Sequence, residues 1–256
     1  KYKSIYGDTL NKITCKNTKD FRKELAINKN KDLFESDINP IFQCLSTNYL
    51  NHDAPKLNIA FFDIETDFDP DRGFADPADP FMPITAITVH LQWLDSLVTL
   101  AVPPKTLTLE EAQDQVKDFP NTHLFTDEAD MLKTFLDLIE DADIISGWNS
   151  EGYDIPYCVN RVARVLSKND TRRFCLWDQL PKKREYGKFG RTLVTYDLIG
   201  RVHLDSLELY RKYTYEERHT YRLDAIGEME VGEKKTVYEG TLCLLYTSDA
   251  ADDRVS

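Results

Sequence analysis

The chain has 256 residues, 41% of them hydrophobic, enough for one large domain or a domain plus part of another, and no apolar run approaches the ~20 residues of a membrane span. Its five cysteines (Cys15, Cys44, Cys158, Cys175, Cys243) are scattered without a C-x-x-C pair, which argues against a disulfide framework or a zinc site and fits a reducing, cytoplasm-like compartment. A net charge of −12 argues against a protein that coats nucleic acid nonspecifically.

Residues 1–56 are polar and irregular, with turn signals such as "SIYGDTL" and "INKNKD", and read as a small or incomplete domain. The first residue is Lys1 rather than methionine, so a processed or partial chain is expected. From Leu57 onward short apolar runs alternate with amphipathic segments, the pattern of an α/β layer structure. "LNIAFFDIE", "ITAITVHLQW" and "LVTLAV" read as strands, the last two pairing with each other. A helix follows an acidic first turn (Asp127, Glu128), with Met131, Leu132, Phe135, Leu138 and Ile139 on one face. "DIISGW" reads as a buried strand, and the next helix places Cys158, Val162, Val165 and Leu166 together. "KREYGKFGRTLVTYDL" reads as a β-hairpin turning at Gly187 to Gly190, and helical stretches are expected near 205–213 and 222–230.

Charge is distributed unevenly along this order. Residues 161–191 hold ten Lys or Arg against three Asp or Glu, net +7, which leaves −19 for the remainder. With Phe174, Trp177, Tyr186 and Phe189 interleaved, the stretch could follow a phosphate backbone and stack bases; a solvated lysine-rich surface is the equally good alternative.

The chemistry concentrates at two places. In "FFDIETD", Asp63 and Glu65 stand two apart on a strand and so project from one face where it ends. Carboxylates held that close repel unless a cation lies between them, which suits a hard divalent ion, Mg²⁺ or Mn²⁺; solvated strand-end acids are the plain alternative. Asp67, Asp69 and Asp71 in "DFDPDRG" mimic the start of a calcium loop, but Arg72 replaces the required Gly and Ala78 the terminal Glu, so the stretch reads as a solvated acidic turn. The second constellation is "SGWNSEGYDIPYCVNRV": a strand ends at Trp148, a turn carries Asn149 and Tyr153, and Asp154 opens a helix, where it is also a favoured N-cap ahead of Pro156.

Together "FFDIETD" and "GWNSEGYDIPYCVNR" resemble the first and second exonuclease motifs of family B DNA polymerases, of the T-even phage type. "YKSIYG", "HLDSLELYRKYTY" and "YRLDAIGEMEVGEKKTVYEGTL" resemble stretches of the same enzymes in the same order. The resemblance implies an α/β, ribonuclease H-like exonuclease domain over residues 57–242, a mixed sheet flanked by helices with an inserted β-hairpin, preceded by part of a polymerase N-terminal domain in residues 1–56. It implies 3′→5′ proofreading hydrolysis of DNA with release of a deoxynucleoside monophosphate, two ions of Mg²⁺ or Mn²⁺ as cofactors, and Asp63, Glu65 and Asp154 as catalytic and metal-ligating acids. Thr66, Asn149 and Tyr153 would contact the 3′-terminal nucleotide, and Lys182, Lys183, Arg184, Lys188 and Arg191 of the hairpin would meet DNA phosphates, although a solvated hairpin fits those five as well. Primer-template DNA and, through regions beyond this chain, a sliding clamp are the implied partners, and the host-cell cytoplasm the implied location if the gene is phage-borne.

The family's third motif, Tyr-x-x-x-Asp, should follow "YEGTL" and does not. Instead the chain reads "CLLYTSDAADDRVS", which resembles a translated transposase adaptor from sequencing libraries, so residues 243–256 are expected to be a non-native tail on a truncated frame. Two alternatives stay open. His219 and Asp224 have the spacing that closes the histidine-type branch of acid-cluster exonucleases, which would make a stand-alone nuclease on DNA or RNA. Lacking its fourth acid, the fragment could also be an inactive single-stranded-DNA-binding module.

Overall fold

The computed structural model describes residues 2–188 and 191–234, which fall into two compact units, the first ending at Lys56 and the second beginning at Leu57. The adaptor-like tail, the proposed hairpin turn at 189–190 and the "TVYEGTL" stretch lie outside the described residues.

The first unit contains two helices that its irregular sequence conceals. A two-residue ladder pairs β1 (Tyr2–Lys3) with β2 (Thr9–Leu10). Helix α1 (Thr18–Ile27) starts because the Asn17 side chain accepts the Asp20 amide, and α2 (Pro40–Tyr49) because Asn39 accepts the Ile41 amide and Pro40 needs no donor at the first position. Neither helix buries a residue.

The second unit is built on a six-stranded mixed sheet in the order β10-β7-β3-β4-β5-β6. Its strands are β3 (Ile59–Thr66), β4 (Ile84–Leu91), β5 (Ser96–Ala101), β6 (Thr122–Leu124), β7 (Ile144–Gly147) and β10 (Val202–Asp205). β3 runs antiparallel to β4 and parallel to β7, which in turn is parallel to β10. β3 is two-faced. Ala60, Phe62, Ile64 and Thr66 are buried, whereas Phe61 and Asp63 are exposed and Glu65 is half-buried, the alternation that one covered face imposes. The pairing register slips between Glu65 and Thr66, and a bulge of this kind re-aims the side chains that follow it.

The covered face packs against α4 (Glu128–Leu138) and α5 (Asp154–Val165), while α3 (Leu109–Gln115) lies between β5 and β6 in the chain and buries only Ala112. Met131, Leu132, Phe135, Leu136 and Ile139 are fully buried, and the Phe135 ring lies 5.5 Å from that of Phe62, joining α4 to β3. Leu138, expected on the same face, is partly buried at its edge. α6 (Ser206–Tyr213) and α7 (Leu223–Val231) follow β10. The hairpin forms as β8 (Lys182–Lys188) and β9 (Arg191–Asp197), paired from Lys182 with Asp197 to Lys188 with Arg191.

Candidate active site

β3 and β7 meet closely where the two motifs converge. A Cβ on Gly147 would stand 2.6 Å from the Phe62 carbonyl oxygen, so only glycine lets β7 end at that point. The chain then turns through Asn149, which adopts φ +58°, the left-handed region that asparagine tolerates. The Asn149 carbonyl accepts the Gly152 and Tyr153 amides at 3.0 and 3.1 Å, closing the turn that delivers α5.

At the start of α5 the expected side-chain cap is absent. Tyr153 is the N-cap residue and Asp154 the first residue of the helix, so the Asp154 carboxylate does not cap; it accepts the Ile64 amide of β3 at 3.3 Å. That bond fixes the second motif to the first. Asp154 is 2% exposed, and burial together with the charge of Asp63 and, less, of Asp205 holds its pKa well above the usual carboxylate range. Thr66 and Tyr153 reinforce the junction: both are buried and their hydroxyl oxygens lie 3.1 Å apart. Asp63, Thr66, Tyr153 and Asp154 are therefore gathered, with Asn149 at the rim as a half-buried residue. Among the described residues no three His, Cys, Asp or Glu side chains are grouped so as to hold a metal ion.

The basic stretch is less free than its composition suggests. Arg161 is an internal residue, bonded to Glu128 at 2.6 and 2.8 Å and to the Pro80 and Phe81 carbonyls. Arg164 pairs with Asp79, Arg173 with Asp137 and Lys183 with Glu185. Arg184 bonds both Glu151 and Asp197, and Lys182 is exposed. Lys188 and Arg191 have a place in the hairpin register. His219 is exposed, while Asp224 pairs with Arg222 at 3.6 Å and accepts the Ala225 amide.

Sequence reasoning passed over Asp205, which sits in the quoted "HLDSLELY". Its one oxygen accepts the Leu207 and Glu208 amides at the start of α6 and its other accepts the Glu151 amide at 2.8 Å, so it anchors the Asn149–Tyr153 turn. Asp followed three residues on by Glu208 at a helix start was the readable signal. Ser150 was also missed: it is fully buried with its hydroxyl 2.9 Å from Nε2 of His203.

The family model described as DNA polymerase family B, exonuclease domain, matches residues 10–226. The chain belongs to this family. It is 27% identical over 221 residues to the DNA-directed DNA polymerase of Escherichia phage RB69, an overlap covering 78% of this chain and 24% of that one. It is 30% identical over 135 residues to the DNA-directed DNA polymerase of Enterobacteria phage T4, covering 52% of this chain and 14% of that protein. The DNA polymerase delta catalytic subunit of Candida albicans is 33% identical over 119 residues, 42% of this chain and 11% of its own length. The chain thus spans about a quarter or less of the family B relatives it matches. With the mixed sheet and its covering helices, the family B match bears out the α/β, ribonuclease H-like fold.

Proposed function

We propose that this chain carries the 3′→5′ proofreading exonuclease of a DNA polymerase, hydrolysing the 3′-terminal phosphodiester of DNA and releasing a deoxynucleoside monophosphate. The observation that carries the reading is the bond from Asp154 to Ile64 N–H, which holds the buried acid of one motif beside Asp63 of the other. A buried carboxylate whose proton affinity is raised by its burial and by the neighbouring Asp63 charge suits a divalent cation, and Asp63, Glu65 and Asp154 are the residues that would hold it. Bound Mg²⁺ or Mn²⁺ supplies an activated water and charge stabilisation for the departing 3′ oxygen. The protein's own contribution is placement. The Ile64 amide and the Thr66–Tyr153 contact fix the acids relative to the turn, and Thr66, Asn149 and Tyr153 are the residues we assign to the terminal nucleotide.

The test is cleavage of a 5′-labelled single-stranded oligonucleotide with Mg²⁺ or Mn²⁺, resolved base by base, for the chain and its Asp154→Asn and His219→Ala variants. Stepwise shortening lost in Asp154→Asn and kept in His219→Ala is the expected result. Shortening lost in His219→Ala would replace this reading with the histidine-type nuclease. An intact oligonucleotide that is nevertheless bound would leave a single-strand-binding module.

A further inference from the structure

We propose that Arg184 and Glu151 form a latch holding the hairpin on the Asn149–Tyr153 turn, which makes Arg184 a positioning residue and not a phosphate contact. Among the described residues β8 and β9 pair only with each other, so side chains must attach the hairpin to the rest of the unit. β9 is attached to α5: Thr195 is fully buried and the Tyr196 hydroxyl donates to Asn160 Oδ1 at 2.6 Å. β8 is attached through Arg184. Its Nε donates to Asp197 Oδ1 at 3.1 Å on the neighbouring strand, and its Nη2 donates to Glu151 Oε1 in the turn.

Glu151 is a firm anchor because its own amide is held by Asp205, which also caps α6. The guanidinium fork thus spans two carboxylates, the planar geometry for which arginine is suited and lysine less so. With both carboxylates bound, the guanidinium charge is already neutralised, which weakens its pull on a phosphate. The significance of the turn rests on the function proposed above; the latch itself does not, since it can be read on a chain that cuts nothing.

Hydrogen–deuterium exchange of Lys182–Lys188 and Arg191–Asp197 tests it, with Ile59–Thr66 as internal reference. Glu151→Gln and Arg184→Gln should each speed hairpin exchange about twofold to fivefold, the response to losing a partly exposed ion pair, and leave the reference unchanged. The double variant should exchange no faster than the faster single, and Arg184→Lys, a point charge that cannot span both carboxylates as the fork does, should restore only part of the protection. Hairpin exchange unchanged in Glu151→Gln, multiplied effects in the double variant, or acceleration extending to β3 would each overturn the latch. So would a loss of affinity for a fluorescein-labelled oligothymidine confined to Arg184→Gln, which would make that residue a phosphate contact.

Discussion

The hydroxyls of Thr66 and Tyr153 face each other at 3.1 Å across 87 positions of sequence, joining the last residue of β3 to the residue just before α5. A hydrogen bond in this setting contributes about 1 kcal/mol. Tyr153→Phe and Thr66→Val should each lower stability by roughly that amount in urea titrations, and a double-mutant cycle should return a coupling of similar size. Additive losses would mean the two hydroxyls act separately.

Asp154 sets a pH dependence whose sign is fixed by burial. Its folded pKa lies above the unfolded value, with Asp63, Asp205 and the Ile64 amide facing it, so folding is favoured by bound protons. The associated stability is present below the unfolded carboxylate pKa and is lost as pH rises through the folded one. Asp154→Asn in EDTA should therefore raise Tm at neutral pH by roughly 2–4 °C, the response of a domain this size to about 1 kcal/mol, and narrow the difference between acid and neutral Tm. An unchanged pH profile in calorimetry would contradict the assignment.

Arg161 and Glu128 make the buried ion pair of α5 and α4, their side chains 11% and 12% exposed. Glu128 also accepts the Ile84 amide of β4 at 2.8 Å. Arg161→Met would strand that carboxylate and should cost about 3–5 kcal/mol in chemical denaturation. A loss below 1 kcal/mol would show the carboxylate to be well solvated.

Asn149 is held at φ +58°. Asn149→Gly should leave stability within a few tenths of a kcal/mol of the parent, whereas Asn149→Val should lose about 1–2 kcal/mol from backbone strain, both measured by thermal unfolding. Oligonucleotide cleavage by the glycine variant then isolates what the amide side chain does.

Much of this was legible in the sequence. α4 was readable because its five apolar positions repeat with the helical period, and Asp63 and Glu65 because strand geometry fixes which residues share a face. α1 and α2 were passed over although Phe21 and Leu25 in the one, and Ile41, Leu45 and Tyr49 behind the Asn39–Pro40 start signal in the other, recur at helical spacing; those stripes are short and bury nothing. β6 is three residues long and leaves no pattern, and α3 announced itself only through the capping box of Thr108 and Glu111. The basic stretch misled for a physical reason. The partners that neutralise Arg161, Arg173 and Arg184 are 33, 36 and 33 positions away, and composition has no knowledge of distance folded shut.

Asn160 gives the last consequence. Its amide nitrogen donates to the Pro77 carbonyl while its oxygen receives the Tyr196 hydroxyl, and Tyr157, Arg161 and Arg164 fasten the same 77–82 segment beside it. α5 therefore holds Asp154 at one end and, about 9 Å along its axis by helical rise, the moorings of both the hairpin and the β3–β4 loop. The acid and both moorings are thus carried by one helix, and a variant that loosens Asn160 should be read out at Asp154 as well as at the hairpin.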